Sequence, residues 1–376
     1  MDAVSAVSRL ETARAVVVKV GSALLVEPDS GDLRADWLAG LAKDIADLVA
    51  SGARVAIVSS GAIALGRRVL GMTGELALEE AQAAASVGQQ RLASAWERAL
   101  SRHNLPTGQV LLTLADTQDR RRYLNGRATL TALMKLGVVP IVNENDTVAT
   151  DEIRYGDNDR LAARVALMTD ADLLVLLSDV DGLYSGNPRQ NPDAAHIPEI
   201  REITPEIEAM AGSVGTAGAK GGMRTKLLAA QTAMQGGCAM VVTLGTIDNP
   251  LKALREGARA TWFQPAASPA AARKNWIAGM KPMGSLVVDA GAANALRQGK
   301  SLLPAGLVRI EGTFKRGDPA SIVTEAGESL GAALVSYPAN EARLIAGLRS
   351  DQLAEVLGYP GRAAIAHRND LVIWGS

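Results

Sequence analysis

Two lysines and one aspartate carry the residue types that phosphoryl chemistry needs. Lys19 interrupts an otherwise apolar run, Ala15-Val-Val-Val-Lys-Val20, and Lys226 lies one turn into a helix opened by a glycine loop. Two ammonium groups converging on one phosphoryl group would neutralise the charge spread over its oxygens, which is most of what phosphoryl transfer asks of a protein. Like charges repel, so a carboxylate belongs between them, and Asp159 is the candidate. Each residue also has a plainer reading. A lysine near a strand end can carry its ammonium into solvent on its apolar stem.

Asp159 closes a polar stretch: Asn143-Glu-Asn-Asp146, Asp151-Glu152, then Gly156-Asp-Asn-Asp159. An apolar strand, Gly137-Val-Val-Pro-Ile-Val142, precedes it, and a helix follows from Arg160. Asn, Asp and Gly favour turns, and Asp or Asn caps helices, so one such cluster alone reads as a solvated loop. Two clusters bracketing one loop after a strand point instead to a site, because ligands of open α/β sheets sit beyond the carboxyl ends of strands.

Three glycine clusters could open helices whose amides bind anions, or could simply mark tight turns: Gly21-Ser22, Gly61-Ala62 and Gly215–Lys226. The dinucleotide fingerprint is absent, since no Gly-x-Gly occurs. Gly299-Lys300-Ser301 imitates the end of a P-loop, but Asn294 stands where the upstream glycine is required.

The elements that must position these residues follow from periodicity. Strands are expected at 15–20, 54–59, 109–114, 138–143, 172–177 and 239–244, and helices at 34–51, after Gly61, and at 79–100, 123–136, 159–168 and 223–235. Short apolar strands alternating with helices are βαβ units, hence a mostly parallel sheet with helices on both faces, an α/β three-layer αβα sandwich. The polar punctuation at Lys19–Ser22, Ser59–Gly61, Asn143–Asp159 and Ser178–Asp181 then falls at one end of that sheet. A Pro- and Gly-rich excursion covers Ser185–Gly218. Composition shifts again at Thr261–Gly284, and beyond it short strands with close turn signals predict a small, mostly β domain. The expected division is 1–262, a linker at 263–283, and 284–376.

The bulk numbers fit a globular protein of this kind. The 376 residues suffice for two domains. Aromatics are only 3%, so Ala, Val, Leu and Ile must build the cores. A formal net charge of −1 forecasts no polyanion partner. One cysteine, Cys238, excludes an internal disulfide, and three scattered histidines disfavour a structural zinc site. With no apolar run of spanning length and no hydrophobic leader in 1–14, a reducing, cytoplasmic setting is expected.

Taken together, the motifs resemble the amino-acid kinase superfamily, and within it the branch that phosphorylates glutamate at the start of proline synthesis. The resemblance rests on Val18-Lys-Val-Gly-Ser22, Ser59-Ser-Gly-Ala-Ile63, Asn143-Glu-Asn-Asp146, Gly156-Asp-Asn-Asp159, Ser178-Asp-Val-Asp-Gly-Leu-Tyr184 and Gly221-Gly-Met-Arg-Thr-Lys226. Val288-Asp-Ala-Gly-Ala292, Phe314-Lys-Arg-Gly-Asp318 and His367-Arg-Asn-Asp370 look like the PUA domain, a small mainly-β barrel, appended to many bacterial members.

The resemblance implies roles. Lys19 and Lys226 stabilise the moving phosphoryl group and Asp159 positions them. Ser60, Gly61, Asp146 and Asn158 hold L-glutamate, with Asn143 a weaker candidate. Ser178, Asp179 and the segment Lys220, Gly221, Gly222, Met223, Arg224, Thr225 and Lys226 hold ATP, with Mg²⁺ on its phosphates rather than on a protein metal site. Proline as a feedback inhibitor and an assembly of two or four chains are implied as well. The chemistry agrees on one point: a carboxylate acceptor of pKa ~4.3 is already ionised at neutral pH and needs no general base. Lys220 stands where many relatives carry Thr, and Ala333 where they often carry a basic residue. The competing readings are another acid kinase of the superfamily and, in a different class, an RNA-binding PUA protein. Against the latter, 281–376 hold 10 Lys/Arg and 9 Asp/Glu, with no basic stripe.

Overall fold

A computed structural model describes residues 9–28, 30–149, 157–188, 190–211 and 222–374. Gly156, the pair Asp151-Glu152 and the glycines 215, 218 and 221, with Lys220, therefore lie outside the described residues. The chain divides into two compact units, Met1–Pro269 and Ala270–Ser376.

In the first unit the order is β1 (Ala15–Val20), α1 (Ala35–Ala50), β2 (Arg54–Ser59), α2 (Ala62–Leu70), α3 (Leu78–Ser101), β3 (Thr107–Leu112), α4 (Arg120–Lys135), β4 (Val139–Glu144), α5 (Asp157–Met168) and β5 (Leu173–Ser178). Then come β6 (Glu199–Ile200), α6 (Pro205–Met210), α7 (Met223–Gln235), β7 (Ala239–Leu244), α8 (Pro250–Arg255) and β8 (Ala260–Phe263). The eight strands form one sheet in the order β3-β4-β2-β1-β5-β7-β8-β6. Every pairing is parallel except β7 with β8.

Side chains of a strand alternate between faces, and this decides where Lys19 points. Val16, Val18 and Val20 pack into the layer of Leu41 and Ile45 on α1 and Leu92 and Trp96 on α3. Ala15 and Val17 pack on the other face, against Leu161 and Val165 of α5 and Ala229 and Ala233 of α7. Lys19 has the parity of Ala15 and Val17, so it shares a face with α5 and α7.

Some boundaries differ from expectation for local reasons. β3 ends at Leu112, not 114, because Thr113 accepts from the Asp116 amide at 3.1 Å and caps a short helix there. α4 starts at Arg120 because Asp119 accepts from the Arg122 amide at 2.9 Å. The excursion over 185–218 contains β6 and α6, with Thr204 capping α6. β8 is only four residues long and sits inside the composition change that begins at Thr261, so it carried no separate signal. A ten-residue helix, α9 (Pro269–Ala278), occupies the expected linker.

The second unit contains β9 (Gly284–Val288), α10 (Ala290–Arg297), β10 (Leu307–Gly312), β11 (Pro319–Thr324), β12 (Ser329–Leu334), α11 (Ala339–Ile345), α12 (Leu353–Leu357) and β13 (Leu371–Ile373). Its strands form a five-stranded sheet, β10-β9-β11-β12-β13, antiparallel but for β9 with β11. Leu286, Ile322, Tyr337 and Ile365 lie in its own core. No helix among the described residues is long and apolar enough to cross a membrane.

One packing contact in the first unit bears on the site. α2 and α3 approach backbone to backbone. A Cβ on Gly66 would lie 1.8 Å from the carbonyl oxygen of Ala84, and one on Gly88 would lie 1.7 Å from that of Ala62. Gly88→Ala is expected to cost about 1–3 kcal/mol through forced backbone separation. An uncrowded site would instead gain about 1 kcal/mol from alanine's better helix propensity. Urea unfolding reads the sign.

Candidate active site

The polar turns gather at the carboxyl ends of β1, β2, β4 and β5. β1 delivers Lys19, whose Nζ lies close to the backbone of Gly21 just beyond the strand. α5 and α7 each present a charged residue in the first turn, Asp159 and Lys226. Lys19 Nζ lies 2.6 Å from Asp159 Oδ1, and Lys226 Nζ lies 3.1 Å from Oδ2. All three are buried, with residue exposures of 8%, 1% and 7% for Lys19, Asp159 and Lys226. The Thr225 hydroxyl, 3.2 Å from Oδ2, also donates to that carboxylate.

Electrostatics follow from this geometry. Burial pushes the Asp159 carboxyl up, but the ammonium groups of Lys19 and Lys226 outweigh it and hold the group below the usual carboxylate range. Burial pulls Lys19 below its ordinary 10.5, helped by Lys226 and opposed by Asp159 and Asp179. The helix dipole favours Asp159 in the first turn of α5 and disfavours Lys226 in that of α7. Asp159 therefore holds Lys226 at the amino end of α7, where Gly222 provides no side-chain cap.

A chain of side-chain amides runs beside the trio. Asn158 Nδ2 donates to Ser60 Oγ at 2.5 Å and to Asn143 Oδ1 at 3.2 Å. Asn143 Nδ2 in turn donates to Gln89 Oε1 at 2.8 Å. Ser60 is pinned by its amide, which bonds the Val20 carbonyl at 3.0 Å, and Gly61 follows with φ +112° at the start of α2. Such a φ suits glycine, and no side chain caps the α2 amides. Asp146 lines a cavity of about 220 Å³ with Gln89, Glu144 and Asn145.

Ser178 is buried at the end of β5 and donates to Asp179 Oδ1 at 3.1 Å; Asp179 is exposed. Gly222 precedes α7, Met223 is half-buried, and exposed Arg224 lines a cavity of about 490 Å³ between α6 and α7 with Ile203, Pro205 and Gln231. Thus Lys19, Asp159, Lys226 and Thr225 converge, and so do Ser60, Asn143 and Asn158. Sequence reasoning missed Gln89. Its only signal was a pair of long amides, Gln89-Gln90, after a glycine in an alanine-rich helix.

A buried cation pair across one carboxylate at the strand ends of an αβα sandwich is an arrangement suited to phosphoryl transfer. A profile described as the amino acid kinase family matches residues 14–243, and one described as the PUA domain matches 284–357. The chain is 62% identical to the glutamate 5-kinase of Dinoroseobacter shibae over 97% of its own length and 99% of that protein's. It is 59% identical to the glutamate 5-kinase of Paracoccus denitrificans, over 97% and 98%. The chain belongs to the glutamate 5-kinase family of amino-acid kinases.

Asp159→Asn leaves two buried ammonium groups facing each other with only the exposed Asp179 carboxylate to offset them. The expected loss is about 3–5 kcal/mol of unfolding free energy, read by urea titration near neutral pH. The carboxyl's folded pKa is depressed, so its stabilisation is complete above the unfolded value of ~3.9 and fades as pH falls through the lower folded value. The gap between wild type and variant should close only in strong acid. A gap that does not change with pH would remove the carboxylate charge from the explanation.

Proposed function

We propose that the chain transfers the γ-phosphoryl group of ATP to the side-chain carboxylate of L-glutamate, giving L-glutamyl 5-phosphate and ADP, the first step of proline biosynthesis. The convergence of Lys19 and Lys226 on Asp159 carries this reading. In the transition state, charge spreads over the equatorial oxygens of the phosphoryl group, and two ammonium groups held in a dry site meet it without reorganising. Asp159 is a positioning residue: its two oxygens hold one lysine each and set their separation.

The acceptor is ionised at neutral pH, so its attack needs orientation rather than deprotonation. Ser60, Asn158 and the Gly61 amides are proposed to orient the reacting carboxylate, with Asn143 supporting Asn158. Asp146 is proposed to take the α-ammonium. Ser178, Asp179 and the 220–226 segment are proposed to hold ATP. Mg²⁺ fits as a nucleotide-borne ion. No group of three His, Cys, Asp or Glu among the described residues could hold a metal, and Mg²⁺ commonly sits on phosphates with one or two carboxylates, here Asp179. When bound, it would supply further neutralisation of the phosphate oxygens. Residues 1–262 are proposed as the catalytic domain, 263–283 as a connector and 284–376 as a PUA domain with an assembly or regulatory role.

Lys226→Ala keeps the Lys19–Asp159 pair, so the fold should persist while kcat falls by several orders of magnitude, on the order of 10²–10³ or more as for loss of a transition-state donor. Coupled ADP release across glutamate, aspartate and N-acetylglutamate tests the acceptor. Turnover of another acid but not glutamate rejects the assignment. The resemblance further supports inhibition by proline and an assembly of two or four chains. Added proline should lower ADP release, and light scattering should return one of those two masses.

A further inference from the structure

Gln89 is a buried polar side chain with half of its hydrogen-bonding capacity already committed. It projects from the middle of α3, where its neighbours Ala84, Ala85 and Leu92 are packed into the fold. The residue is 9% exposed. Oε1 accepts from Asn143, which fixes the amide so that Nε2 turns away from that contact. Among the described residues Nε2 has no hydrogen-bond partner, although it is buried. A buried amide donor left unmade costs about 1–3 kcal/mol, so a fold keeps one only where something else supplies the acceptor. The same side chain lines the 220 Å³ cavity that Asp146 also lines.

Groups of opposite preference thus face one small cavity. Asp146 and Glu144 suit a cation, and Gln89 Nε2 suits an anion or carbonyl oxygen. An α-amino acid presents both on one carbon. The reacting end of the substrate must lie toward Ser60 and Asn158, since Asn158 adjoins Asp159 in the first turn of α5. The cavity beyond Asn143 is then left for the other end. We infer that Gln89 binds the α-carboxylate of the acceptor through Nε2, while Oε1 holds the amide chain that orients the reacting carboxylate. This rests on the glutamate reading above. It assigns to Gln89 the rejection of ω-amino acids, which lack the α-carboxylate, and leaves to Asp146 the rejection of dicarboxylic acids, which lack the ammonium. The glycine contact supports the assignment, because Gly88 brings α3 against the α2 backbone at the residue preceding Gln89.

The decisive variant is Gln89→Glu. It keeps an oxygen for Asn143 and keeps the length, but replaces the donor by an acceptor. At about pH 8, where the introduced carboxyl is ionised, KM for glutamate should rise on the order of 10- to 100-fold. KM for ATP should stay at its wild-type value. Gln89→Met, similar in length and without charge, should raise KM for glutamate in the same direction and serves if the first variant does not fold. A Gln89→Glu enzyme with unchanged KM for glutamate overturns the assignment, as does an equal rise in both KM values, which would mark a general structural role. Wild-type enzyme that turns over other acids but not glutamate sinks the functional reading and this assignment with it. Wild-type activity on glutamate with an indifferent Gln89 sinks the assignment alone.

Discussion

Two ammonium groups sharing one carboxylate in a nearly dry site is the interaction on which the rest of the molecule depends. Desolvating three charges is expensive, and their mutual attraction repays it only at close range and with good geometry. The distances of 2.6 and 3.1 Å meet that demand. The cluster still carries two positive charges against one negative. A surplus positive charge held away from water is a standing attraction for an anion. Delivering the charges requires three separate elements to end at one point, and a sheet with strand β1 central and α5 and α7 on one face is the architecture that does so.

The neighbouring polar chain is built differently. Where the lysine cluster relies on charge, this chain relies on side-chain hydrogen bonds made in sequence, from Ser60 through Asn158 and Asn143 to Gln89. Each link orients the next, so the last amide is held although it lies on another helix. That order depends on α3 sitting close, which Gly66 and Gly88 permit by removing two Cβ atoms from the seam.

Much of this was legible in the residues. The strand Ala15–Val20 and the helix Met223–Gln235 fall where their apolar periodicity puts them, and the need for a carboxylate between two lysines follows from Coulomb repulsion alone. Other features were not legible, for physical reasons. Thr113 and Asp119 shift boundaries by capping, which is a local bond rather than a pattern. β6, with two residues, and β8, with four, are held by their neighbours rather than by propensity, so no window of sequence reports them. Gln89 needed the tertiary fold, since only the helix seam brings residue 89 to residue 143.

The α2–α3 seam has an evolutionary corollary. Ordinary adaptation of a binding pocket trims or lengthens side chains, but at this wall the touching atoms are carbonyl oxygens and α-carbons, with nothing left to trim. Drift toward longer or shorter acceptors is therefore channelled away from the helix seam to side chains that line the cavity, such as Gln109, Leu111 and the turn from Glu144 to Thr147. Within such a scaffold, one bank of the pocket is heritable architecture and the other is the place where chemical taste can change.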